Sequence, residues 1–250
     1  MSYIPQAMSG REIQHDIKFA AEGPMSGLIE GVQSITLGTG TTELTLTEGD
    51  DQLKCHILAV DPAGDKTLKL PGYASADLNL VGRRITIINS ADAPDELITL
   101  QDANDAFICY VGFEDTVELV VMSQDSTDGS IEYGLVTKDF RHKITVAANG
   151  NKDIIPAAGA KFVIVPKYFA FEGDQDLPTA TATIEVATGI DIVAAANMPD
   201  LANDGAEQVV YAADFANVIL QDNQKLNYVG GGASGATVDI TVVYSLIKIS

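Results

Sequence analysis

Apolar residues step by two along much of this chain. Within residues 80–122, Ile85 and Ile87, Ile98 and Leu100, and Val117, Leu119 and Val121 fall at alternate positions with polar residues between them. That period turns one face of a strand inward. The segments are separated by runs rich in Asp, Asn, Gly and Pro, so the pattern predicts antiparallel strands with no helices between them. Similar short segments start at Ser34: SITLGTGTTELTL, LKCHILAVD, TLKLPG, FICYV and IEYGLV, ending near Thr137. Pro62, Gly64, Pro71, Gly72, Asp92, Pro94 and Asp128-Gly129 supply turn chemistry between them. Short strands at turn spacing predict a β-sandwich or jelly roll.

The second half continues in the same style with HKITVAAN, KDIIPA, AKFVIVPKYFAF, TATATIEVATGIDIVAA, EQVVYAADFANVIL, KLNYV and ATVDITVVYSLIKI. In the last of these, Val238, Ile240, Val242, Tyr244 and Leu246 alternate with Asp239, Thr241 and Ser245, and the phase slips at Ile247 and Ile249. A slip of that kind predicts a bulge or a strand end. Val229 to Ala236, VGGGASGA, reads as a loop. Lys138, Arg141 and Lys143 crowd beside His142 in KDFRHK, which reads as a joint between domains.

Residues 1–30 differ from the rest. Gly10, Gly23, Pro24 and Gly27 accompany three Met residues and one weak helical pattern, Ile13, Ile17 and Ala21, which cannot bury a core of its own. The expected layout is all-β: an extended N-terminal arm over 1–30, a β-sandwich over 31–137 and a second, jelly-roll-like β-sandwich over 138–250. The arm is expected to lie along a neighbouring subunit, with Ile4, Ile13, Ile17 and Phe19 as apolar, partner-binding anchors.

Charge narrows the partners. With 35 Asp and Glu against 15 Lys and Arg the formal net charge is −20, a field that repels phosphates and anionic lipid, so neither nucleic acid nor a membrane is an expected partner. No apolar run reaches the ~18 residues of a membrane span, and MSYIPQAMSGREI lacks the basic start and apolar stretch of a signal peptide, so folding in the cytoplasm is expected. From Lys167 to Lys225 there is no intervening Lys or Arg, while ten Asp and Glu fall there, which predicts one strongly acidic face.

The residues that could carry chemistry fall outside the usual patterns. Cys55 and Cys109 lie in β-like segments without CxxC spacing and read as free core thiols; His15, His56 and His142 are scattered singly. Residues 172–176 (EGDQD) and 123–132 (SQDSTDGSIE) are acidic, yet neither has the D-x-[DN]-x-[DN]-G order of a calcium loop. Paired carboxylates for sugar hydrolysis are available in any chain this acidic, but there is no Trp, and the Tyr and Phe residues mostly occupy positions that look like core. G-x-S-x-G, Walker and H-E-x-x-H patterns are missing from the sequence. The expectation is a protein with no catalytic residues, no cofactor and no metal, whose surface is its function.

A resemblance sharpens this. Leu68-Lys69-Leu70-Pro71, then Gly82 to Asn89 as G-x-x-I-x-I-x-N, then Ile98-Thr99-Leu100 and Val117 to Val121 resemble small β-modules of phage decoration, head-fibre and tail-fibre proteins. Those modules usually close with a tryptophan; here IEYG, Ile131 to Gly134, stands in that place. The chain's ending, with Asn223, Leu226, the Gly230 to Gly235 loop and ATVDITVVYSLI, is similar to the last strands of phage jelly-roll modules. The resemblance implies a virion structural protein of a tailed bacteriophage, assembled with symmetry, often as a trimer. Within that class the expectation is a capsid decoration (cement) protein whose partners are the major capsid protein and copies of itself. The alternatives are a tail-associated or fibre adhesin, with the loops at 197–205 and 230–235 as its tip, and a ring-forming connector or tail subunit.

Overall fold

The computed structural model describes residues 32–37, 41–43, 57–72, 81–125, 127, 129–159, 161–173, 182–187, 190–199, 207–215, 223–231 and 237–249. Apart from two short 3-10 turns at Ala195–Asn197 and Ala212–Asp214, regular structure among these residues is all strand. The protein is all-β, as the alternation predicts.

The first half contains β1 (Val32–Thr36), β2 (Thr41–Glu43), β3 (Ile57–Asp61), β4 (Lys66–Lys69), β5 (Arg84–Asn89), β6 (Ile98–Gln101), β7 (Phe107–Val111), β8 (Thr116–Gln124) and β9 (Ile131–Leu135). Strands β1 to β6 alternate between two sheets, ordered β1-β3-β5-β8-β9 and β2-β4-β6-β7, and the chain closes each sheet with a pair of consecutive strands, β6 with β7 and β8 with β9. This departs from the antiparallel expectation. β1, β3 and β5 pair in parallel, as do β2, β4 and β6, so the chain winds in coils; only β7, β8 and β9 reverse direction. Period-two alternation says which face of a strand is buried and nothing about its direction. A strand that crosses to the opposite sheet and back returns parallel to its predecessor without a helix.

Both sheets turn the predicted residues inward: Leu58, Val60, Ile87, Leu68, Leu70, Ile98, Leu100, Val117 and Leu119 are all fully buried. Asn89 ends β5 inside this core, 2% exposed. Its Nδ2 donates to Glu96 O at 2.8 Å and Val111 O at 3.1 Å, and its Oδ1 accepts from Ala91 N–H at 3.0 Å. The side chain thereby ties the exit of one sheet to the other, which is the condition for burying an amide at all.

The second half contains β10 (Phe140–Ala147), β11 (Asn151–Ile155), β12 (Phe162–Gly173), β13 (Thr183–Ala187), β14 (Ile190–Val193), β15 (Glu207–Tyr211), β16 (Leu226–Val229) and β17 (Thr237–Lys248). These form two sheets, β10-β17-β12-β15 and β11-β16-β13-β14, with every pairing antiparallel. The slip foreseen at Ile247 is a strand end: β17 stops at Lys248, and Ile247 and Ile249 are exposed. The bulge lies in its partner. β12 shifts register between Pro166 and Tyr168, where proline has no N–H for the ladder. One core cluster runs through both halves, from Leu37 to Tyr244.

Candidate functional site

The halves meet along a seam between the end of β7 and β10. Asp95 sits at φ 82, a strained conformation for a non-glycine residue. Its bonds hold it there: its N–H donates to Lys143 O at 3.0 Å, its Oδ1 accepts from Thr145 N–H, and its Oδ2 pairs with the Lys152 ammonium. Nearby, Arg141 N–H donates to Asp115 Oδ2 at 2.9 Å and Tyr110 Oη donates to Ala157 O at 2.9 Å. The phenol of Tyr110 is pushed up to about 12, mainly by burial. Gly112 abuts Arg141 so closely that a Cβ there would stand 2.2 Å from Arg141 O.

His142 is the buried member of KDFRHK. It faces inward from β10, 2% exposed, and its Nδ1 accepts a long hydrogen bond from Phe113 N–H at 3.4 Å. Burial lowers its pKa to about 4, with the Asp95 charge opposing and the Lys152 charge adding to the shift. The imidazole is therefore neutral at physiological pH. Asp139 of the same stretch turns outward to the Lys167 ammonium and the Ser245 hydroxyl.

A cleft of about 1020 Å³ opens where β8 and β9 face the ends of β12 and β17. Phe107 and Phe162, in edge-on contact at 5.0 Å between centroids, line it with Leu246. Met122, 58% exposed, lies over β9 at Gly134, where a Cβ would come within 2.7 Å of Met122 Cγ. Asp102, Asp125 and Glu132 contribute carboxylates to the lining, and Lys248 an ammonium. On the inner side Tyr133 Oη donates to Pro71 O at 2.7 Å.

The outer face of the β10-β17-β12-β15 sheet bears a second surface. Across the strands Tyr211, Tyr168, Val243 and Arg141 stand in register, and the next row holds Val209, Ala170, Thr241 and Lys143. The rings of Tyr211 and Tyr168 are 6.0 Å apart, and Tyr211 is 57% exposed. Lys143 Nζ lies 2.7 Å from Asp239 Oδ2 and 3.7 Å from Glu172 Oε2. Its hydrogen bond to Asp239 is the main cause of a raised ammonium pKa.

Several residues singled out from the sequence fall outside the described residues: Ile4, Ile13, Ile17 and Phe19 of the arm, His15, Cys55 and His56, and Asp174 to Asp176. The same holds for residues 200–205 of one candidate loop and 232–235 of the other. Cys109 is a free, buried thiol, pushed up by burial. In the acidic run at 123–132, Asp125 Oδ1 accepts from Thr127 N–H at 2.7 Å, the work of a turn-former. The sequence reading missed the cleft and the tyrosine face. Met122 was open to detection, since it is apolar on the outward phase of β8. Tyr168 was not, because the bulge after Pro166 reverses the phase of the strand that carries it.

No family model matches the chain, and no curated protein matches it. Among solved structures it is similar to a chain of the cyanophage Pam1 capsid asymmetric unit, at 11% identity over 43% of this chain and 80% of that one, with a TM-score of 0.27. At that score and identity the likeness assigns neither fold nor function.

Proposed function

We propose that the chain is a non-enzymatic structural protein of a tailed-bacteriophage virion and, within that class, a head decoration (cement) protein. Its partners are the major capsid protein and copies of itself, and it joins the particle in the host cytoplasm. The observation that carries this reading is the closure of the dispersed sequence pattern into one unit. Leu68, Leu70, Ile85, Ile87, Ile98, Leu100, Val117, Leu119 and Val121 share a core, and Asn89 clasps it. Tyr133 of IEYG, in the place of the usual tryptophan, bonds back to Pro71 of the L-x-L-P strand.

The mechanism is clamping. Apolar surface buried between subunits at ~25 cal/mol per Å², repeated over many copies, resists the outward pressure of packaged DNA. The arm, with Ile4, Ile13, Ile17 and Phe19, is the docking element in this reading. Deleting residues 1–25 should leave both halves folded by circular dichroism and abolish incorporation into particles; normal incorporation would sink the arm's role. The copy number in purified virions, by quantitative mass spectrometry against the major capsid protein, tests the class itself. Hundreds of copies support decoration, a dozen or so move the protein to the tail, and none removes the reading.

The pair of half-buried Tyr168 and exposed Tyr211 favours one second reading, a tail or fibre adhesin. Two outward rings beside Arg141 are the kind of platform on which a host glycan stacks. Binding of the purified protein to host cells that is lost in Tyr211→Ala would select it.

A further inference from the structure

All five residues of β9 line the cleft. Successive side chains of a strand point to opposite faces, so a cavity touching every one of them runs along the strand's edge and not over one face. Among the described residues β9 is the last strand of its sheet. Its phase is set by its neighbours. Val136 N–H donates to Glu118 O, while the N–H and C=O of Val121, opposite Tyr133, are engaged with Arg83 and Gly82 on the far side of β8. In an antiparallel ladder this alternation turns the backbone groups of Gly134 toward β8 and those of Tyr133 and Leu135 toward the cleft.

The side chains around that edge divide by face. Phe107, Phe162 and Leu246 present apolar surface on one side. On the other stand Met122 and the carboxylates of Glu132 and Asp125, in a lining that holds Lys248 as its one basic side chain among the described residues. Gly134 lets Met122 lie flat across β9, which keeps that face low beside the open edge. An open edge in a groove is a template for another strand, and a peptide added there takes its affinity from main-chain bonds and its specificity from alternate side chains.

The geometry points to a docking site for an extended segment of a partner protein, basic and apolar at alternate positions, that adds to β9 as a further strand. Its apolar side chains face Phe107, Phe162 and Leu246, and its basic ones face Glu132 and Asp125. The probe is an octapeptide of alternating Lys and Val, titrated onto the full-length chain by fluorescence anisotropy, with backbone amide exchange read in parallel. Binding is expected to slow exchange at Tyr133 and Leu135 by about tenfold or more, and Glu132→Lys is expected to weaken binding by about tenfold with the thermal midpoint unchanged. A peptide with proline in place of a central Val should not bind, because it lacks the donor. Equal binding of the proline peptide or of an alternating Glu and Val peptide overturns the proposal, as does binding that leaves Tyr133 and Leu135 exchanging freely. Concentration-dependent dimers in sedimentation with those two amides already protected would assign the edge to a second copy and overturn it as well.

Discussion

Among the described residues Asn89 and His142 are the two buried polar residues of the core, and they predict opposite kinds of experiment. Asn89→Leu keeps the branched shape of the side chain but strands the carbonyls of Glu96 and Val111 and the N–H of Ala91. At a net cost of roughly 1 to 3 kcal/mol for each buried group left unpaired, the three together should cost at least about 3 kcal/mol, read from the urea midpoint. His142 predicts a pH dependence. Its folded pKa of about 4 lies below the ordinary 6.5, so between those values the unfolded chain holds a proton that the folded one refuses. Stability from this group is then complete above about pH 6.5, falls with pH toward 4 and is flat below. At 1.36 kcal/mol per unit, wild type should lose about 2.5 kcal/mol more than His142→Leu between pH 7 and 4.5. Asp95 and Lys152 are the charged groups that act on the ring, and the raised carboxyl of Asp115, also at the seam, works with the opposite sign. Parallel pH profiles that differ by a constant offset would refute the assignment.

Among the elements, the meeting of the β7 end with β10 tolerates least. Gly112→Ala would drive a methyl group into the backbone of Arg141 and His142, both held by the β17 ladder. A loss of about 1 to 3 kcal/mol is expected, seen as a lower denaturation midpoint without a change in slope. At this scale the sequence was legible in faces and illegible in directions. Ile85, Ile87, Ile98 and Leu100 point inward as their spacing says, yet nothing in that spacing distinguishes the parallel partners β3 and β4 from the antiparallel β8 and β7. Direction depends on where the connections cross, and a crossing leaves no period to read. The G-x-x-I-x-I-x-N pattern likewise includes Asn89 without disclosing its three hydrogen bonds. The candidate site was less visible still, because the cleft is built from strand ends remote in sequence, and Tyr168 owes its place on the outer face to a bulge.

At the scale of the whole molecule, charge and winding set the behaviour. A net charge of −20 is a self-repulsion that salt screens. Raising ionic strength from about 0.01 M to about 0.5 M should therefore raise the thermal midpoint. A falling midpoint would mean that the ion pairs, such as Lys143 with Asp239, outweigh the repulsion. The coiled path of the first half has another consequence. β1 with β2, β3 with β4 and β5 with β6 are successive turns of one path, and the closing strands β7, β8 and β9 touch only the last of them and one another within their sheets. A whole turn gained or lost upstream of β3 would leave the closing strands, the seam and the cleft in place, whereas half a turn would exchange the two sheets. The unit is thus built to change length in steps, a freedom that a closed antiparallel sandwich does not have.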